Sequence, residues 1–226
     1  MTRAYDPERR TLRSAALGGL GFSVLFLAHH LLQGTGPPSS SAADVAAYDV
    51  AHSGALLGSE VALAFGLLAF IGFLAPLTVA VRRAGEETLA VALLVAGVLF
   101  LALGFVSTAA ETALVRVADS GQPGAVDALQ QLQGRTPVVW AVAALAAALS
   151  LAVRRTGLLW RGLGTAGLVL AVVFLLAGVS SLLGREVEGG YSLVGVGLFI
   201  VWMLLVSAGL WRRSPAAPVR PGGAPD

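Results

Sequence analysis

The chain contains no cysteine and no lysine, and only 12% of its 226 residues are charged. Without cysteine there is no disulfide framework, no thiolate metal site and no cysteine nucleophile. Without lysine, no glycine-rich phosphate loop of the Walker type is complete. Soluble domains carry roughly a quarter charged residues, so the scarcity of charge excludes the ordinary globular class. Disorder is excluded from the other side. With 56% hydrophobic residues and a mean hydropathy of +0.80, there is too much apolar surface to leave solvated. Catalytic signatures are missing too, since HExxH, HxxxH and the GxSxG elbow do not occur. No catalytic residue, metal ion or cofactor is therefore assigned from the sequence.

What is present is a set of uncharged runs. They cover residues 15–32, 55–81 (interrupted only by Glu60), 89–110, 136–153, 162–184 and 191–211. About 20 residues at about 1.5 Å rise cross a bilayer core of about 30 Å, so each run is one span. No run alternates polar with apolar residues, which favours helices over a barrel. The expected fold class is all-α, a polytopic membrane bundle of six transmembrane helices. A cytoplasmic segment, residues 1–14, precedes the membrane domain, residues 15–213. A Pro-rich disordered cytoplasmic tail, residues 214–226, follows it.

Orientation comes from arginine, which supplies all 15 basic side chains. With the N-terminus cytoplasmic, the outer segments hold only Arg116, Arg135 and Arg185, and the other twelve arginines lie inside. Both termini are then cytoplasmic. Trp140 falls at the outer start of span four, and Trp160 and Trp211 at the inner ends of spans five and six. The pI of 9.7 does not point to nucleic acid, because these arginines flank spans and face anionic headgroups. A signal peptide ending near Ser41–Ala43 is the rival reading of the first run, but His29 and His30 would then sit awkwardly before the cleavage site. The expected location is the bacterial plasma membrane.

Only two outer connections are long. Residues 33–54 open with a Gly/Pro/Ser stretch and are expected to finish as a short helix, Ala42 to His52, feeding span two. Residues 111–135 place Val126, Leu129 and Leu132 at helical spacing, which reads as an amphipathic helix at the outer interface or capping the bundle. Gly54 with Gly58, and Gly162 with Ala166, offer small-residue packing spacings. There is no internal repeat to suggest an inverted-repeat transporter.

Ionisable groups within a span are costly when they face lipid, so their positions carry information. His29 and His30 lie about one turn from the outer end of span one. Glu60 lies deeper, in span two. Glu111 closes span three, and Gly104, Ser107, Thr108 and Glu111 make one small polar stripe on it. Arg185, after span five, is a possible partner for either glutamate. All of these belong to the outer half, and the inner half has no ionisable residue within a span. An outward-facing polar pocket of His29, His30, Glu60, Ser107, Thr108, Glu111 and Arg185 is the resulting expectation. Plainer readings stand beside it: histidines reaching headgroups, Glu111 as an ordinary helix-end carboxylate, Glu60 as a structural hydrogen-bonding group. Adjacent histidines point about 100° apart, so a metal would need one of them plus His52, or Glu60 and Glu111, from other helices.

The stretch Arg154-Arg155-Thr-Gly-Leu-Leu-Trp-Arg-Gly-Leu-Gly-Thr-Ala-Gly167, then an apolar span and Leu198-Phe-Ile-Val-Trp-Met-Leu-Leu-Val-Ser-Ala-Gly-Leu-Trp-Arg-Arg213, resembles a bacterial family. It is similar to the uncharacterised six-span integral membrane proteins, a domain-of-unknown-function group frequent in high-GC Gram-positive bacteria. The resemblance implies a six-helix plasma-membrane protein with a cytoplasmic C-terminus, and it carries over no functional residue. Beyond the lipid bilayer, the expected function is non-enzymatic binding of a small ligand, lipid or partner membrane protein in the outer pocket. The alternatives are a membrane-embedded metal-dependent hydrolase using Glu60, Glu111 and a histidine, or a small-solute transporter.

Overall fold

A computed structural model of the chain describes residues 7–34, 36, 37, 39, 41–135, 137–182 and 190–213. Arg185, the first six residues and the expected Pro-rich tail lie outside the described residues. The elements are α1 (Pro7–Gln33), α2 (Ala42–Arg83), α3 (Glu87–Ala118), α4 (Pro123–Arg135), α5 (Val138–Thr156), α6 (Arg161–Leu182) and α7 (Gly190–Arg212). There is no strand among the described residues. Six helical segments are long and apolar enough to cross a membrane, so the protein is an all-α multi-pass bundle. Large apolar side chains such as Phe65, Leu68, Val95 and Leu176 point outward, a surface suited to lipid and not to water.

Three helices overrun the expected spans, α1 by starting at Pro7, eight residues before residue 15. α2 runs unbroken for 42 residues, about 63 Å, so the short helix expected at 42–52 is the first quarter of span two's own helix. Ser41 caps it, accepting from the Asp44 backbone N–H at 3.1 Å, and Asp44 complements the helix dipole in the first turn. α3 likewise continues past Glu111 to Ala118, so Glu111 stands inside this helix and does not close it. The overhanging ends of α2 and α3 are held together by α4. Val126, only 1% exposed, packs with Val45 and Leu114. Leu129 joins this small core from its edge, whereas Leu132 is 52% exposed. α4 is thus a cap over one end of the bundle, closed by two of its three expected apolar positions.

The most extensive helix pairing is α1 with α2, and its register is constant. Gly18 faces Ala69 and Gly72, Gly21 faces Ala69, Leu25 faces Gly66 and His29 faces Ser59. Each turn gained along α1 is a turn lost along α2, as an antiparallel pair requires. A Cβ at Gly18 would fall 2.8 Å from the Ala69 carbonyl oxygen, so the two backbones touch here. Gly54 and Gly58, the pair expected to pack, have nothing within 4 Å of a Cβ position. Their spacing lies on a face that no other described part of the chain approaches. The Gly162 position meets the ring of Trp160, a neighbour two residues away, and is equally uninformative about packing between distant helices.

Above this contact Phe22, fully buried, is the hub of the core. Its ring lies 5.2 Å from those of Phe26 and Phe70, 5.8 Å from Phe100 and 6.2 Å from Phe199, joining α1, α2, α3 and α7. At the opposite end from α4, Arg13 lies over the Trp211 ring, 5.4 Å from its centroid. Trp160, 80% exposed, projects from the turn between α5 and α6. That turn is opened by Gly157 in the left-handed region at φ 63°, which glycine adopts without strain.

Gly18→Ala is expected to lower stability by about 1–3 kcal/mol, the usual cost of overpacking against backbone. Gly54→Ala is expected to leave it unchanged or raised by up to about 1 kcal/mol through helix propensity. Thermal melting of both variants in one detergent checks the contrast, and equal melting points would contradict the contact described.

Candidate functional site

The site is built from two polarity ladders. Along the inward face of α1, one turn apart, stand Phe22, Phe26, His29 with His30, and Gln33. Along α3 stand Phe100, Gly104, Ser107 and Glu111. Both start in the aromatic core and end in polar groups under α4. Between them lies a cavity of about 640 Å³. Its apolar depth is walled by Phe26, Phe100, Phe174 and Phe199, and its polar end by His29, His30, Gln33, Glu111, Gln130 and Gln133. Gly104 contributes by being small, because a side chain there would occupy the space against Leu67.

The expected pocket residues divide into three groups. His29, His30, Ser107 and Glu111 line the cavity. Glu60 and Thr108 stand just behind its wall, beside Glu111. Arg185 lies outside the described residues. His29 does not reach for headgroups: it is 4% exposed, and its Nδ1 lies 3.1 Å from the Ser59 carbonyl oxygen and 3.5 Å from Glu60 Oε1. A proton on Nδ1 serves the Ser59 carbonyl and leaves the lone pair on Nε2. His52, the other histidine considered for a metal, is exposed, stacks on Tyr48 and lies near the Tyr48 carbonyl at 2.9 Å. It takes no part in the site.

Glu111 is held from two sides. Gln33 Nε2 donates to Oε2 at 2.9 Å, and Gln133 Nε2 donates to Oε1. Those bonds tie the end of α1 and the α4 cap to α3, and Tyr48 adds a third tie by donating to the Gln33 carbonyl at 2.7 Å. Glu60 is treated differently. It is 4% exposed, and its Oε2 makes no hydrogen bond of good geometry, although the Glu111 carboxyl and the Thr108 hydroxyl lie beside the carboxyl. Its Oε1 has the Ser59 hydroxyl at 3.3 Å, but that hydroxyl's one proton already serves the Leu56 carbonyl at 2.7 Å. A buried carboxyl so poorly served is costly. No arginine is paired with Glu60 or Glu111 among the described residues.

The consequence is a compact donor set. One atom each from His29, Glu60 and Glu111 lies within 4.8 Å of the others, the three residues coming from three helices. Sequence reasoning missed Gln33, which follows His29 at i+4 on the same face of α1. Gln130 and Gln133 were visible only as the polar side of an amphipathic helix, and their role depends on where α4 docks. Compared with known proteins, the chain matches no family model, no curated protein and no solved structure, so the site is read from its own residues.

Glu111→Ala removes the acceptor shared by Gln33 and Gln133, and the expected cost is about 1–3 kcal/mol for buried donors left unpaired. The loosening should concentrate in residues 123–135. Hydrogen–deuterium exchange rising there, with the α5–α6 hairpin unchanged, is the expected result.

Proposed function

We propose that this protein binds a small amphipathic molecule, one with a single apolar body and a polar head, in the cavity beneath α4. The supporting observation is the direction of the polarity gradient. Aromatic rings line the deep end and histidine, glutamine and glutamate side chains the shallow end, the same order in which a bilayer leaflet passes from chain to headgroup. A guest drawn from that leaflet needs no inversion to enter. The cavity volume of about 640 Å³ is in the range of sites for single small molecules, and large for a water cluster alone.

Conduction is the less supported reading. Beneath the cavity the Phe22, Phe70, Phe100 and Phe199 rings pack against one another. The buried hydroxyls of Ser23 and Ser207 bond to their own helices, at Gly19 and Met203. A carrier for charged solutes needs polar stations through both halves, and the described residues supply them at one end. The arginine distribution supports placing that end outside a bacterial plasma membrane with both termini cytoplasmic, and the family resemblance agrees with that placement.

Two measurements test this reading. In native mass spectrometry of the purified chain, oleic acid, lysophosphatidylcholine and dodecylamine serve as probes of differing head charge. At least one should be retained at one molecule per chain. Ser107→Trp, which pushes an indole into the cavity, should abolish retention while the thermal melt stays cooperative. Retention of no probe, or equal retention by the filled variant, counts against the proposal. For orientation, alkaline phosphatase fused after Arg213 is expected to be inactive, and fused after Gly121 to be active. The reverse pattern would invert the topology.

A further inference from the structure

The donor set at the cavity wall points further than amphiphile binding and does not depend on it. Three observations converge. His29, Glu60 and Glu111 present one imidazole nitrogen and two carboxylate oxygens within 4.8 Å of one another. They come from α1, α2 and α3, so the fold and not local sequence assembles them. Glu60 is 96% buried, its exposure being 4%, and one of its oxygens makes no hydrogen bond of good geometry. His29 is in turn oriented by a backbone carbonyl, that of Ser59, the kind of second contact that metal-bound histidines habitually make.

We propose that His29, Glu60 and Glu111 form a binding site for a divalent first-row metal ion, zinc or manganese, with at least one coordination position left open to the cavity. The donor chemistry selects the class. Imidazole favours zinc and its neighbours over magnesium and calcium, and two carboxylates favour a hard or borderline ion over copper(I). Three protein ligands, one nitrogen and two oxygens, match the open type of zinc site, in which a fourth position holds water or a ligand. The opening is toward the cavity because His29 and Glu111 both line it. Metal–donor bonds of about 2.1 Å place tetrahedral donors about 3.4 Å apart. The observed spread of up to 4.8 Å must therefore contract by up to about 1.4 Å on binding. A dication also answers the electrostatic problem, since it brings positive charge to two carboxyls that no arginine neutralises among the described residues.

The test uses the full chain in lipid nanodiscs, stripped with chelator and reloaded with zinc or manganese chloride, magnesium chloride serving as the control ion. After desalting, elemental analysis should find one zinc or manganese per chain and no retained magnesium. Glu111→Gln and His29→Gln should each weaken binding by about 10–100-fold or more, since losing a mere supporting group already costs that much. His52→Ala, on an exposed histidine outside the cluster, should bind as the parent does. Glu60→Gln gives a second readout. Without metal it should melt no lower than the parent, because it removes an under-bonded buried carboxyl. With zinc the parent should melt higher, so that the order reverses. The proposal fails if the parent retains less than about a tenth of an equivalent of both ions, or if the Gln variants at positions 29 and 111 retain as much as the parent. It fails equally if zinc leaves the melting order of the parent and Glu60→Gln unchanged.

Discussion

Two helices bring their backbones into contact only where neither interposes a side chain, and here that condition is met where Gly18 of α1 meets Ala69 and Gly72 of α2. Once the pair touches there, antiparallel geometry settles everything above it. Moving up α1 by three turns from Gly18 reaches His29, and moving down α2 by the same rise from Gly72 reaches Glu60. The imidazole and the carboxyl therefore meet without any loop or turn bringing them together. Phe22, at the intermediate level, fixes α3 and α7 to the same pair through Phe100 and Phe199. Glu111 stands three turns above Phe100 on α3, against two turns for His29 above Phe22 on α1, and its carboxyl still comes within 4.8 Å of the His29 and Glu60 donor atoms. The polar site is a consequence of close apolar packing below it.

The solvent explains why the polarity is concentrated at one end. In hydrocarbon a backbone or side-chain polar group finds no water, so it is bonded within its helix, as Ser23, Thr78 and Ser207 are, or it is placed where protein surrounds it. Near the α4 end there is protein beyond the apolar spans, because α2 and α3 overrun them and α4 closes the gap. That extra layer lets Gln33, Gln130 and Gln133 face inward together with Glu111. At the Arg13 and Trp211 end the described residues include no capping helix comparable to α4.

How much of this was legible in the sequence follows from the range of each interaction. Nearly charge-free runs are local and collective, so six spans stood out. The helix at 42–52 was legible, but its continuity with span two, and the continuation of α3 through residues 112–118, were not, because these stretches are helical without being uniformly apolar. The Gly54 and Gly58 spacing misled because it states that a close approach is possible and not that a partner is there. Gly18 and Gly72, which do meet, lie 54 residues apart, and no spacing rule links them. That His29, Glu60 and Glu111 share the outer half was legible from their depth, but which histidine faces the glutamates depends on the helix contacts. As the 100° offset of adjacent helical residues requires, His29 turns toward Ser59 and Glu60 while His30 packs edge-on against Phe26.

Glu60 is the residue whose presence packing alone does not explain. Its neighbours one turn away on α2 include Leu63, and Leu67 follows at the next turn, both buried against the core. An apolar side chain at position 60 would continue that stripe and avoid the cost of a carboxyl whose second oxygen makes no hydrogen bond of good geometry. Glu111, by contrast, is accounted for structurally by Gln33 and Gln133. So the two carboxyls beside one another have different standing: one is an anchor for the cap, and the other is held unsatisfied against it. A group kept buried and thinly bonded beside an oriented imidazole and a second carboxyl is better served once a cation, a proton or the proposed metal ion, lies between them. The cavity lined by His29 and Glu111 adjoins that position.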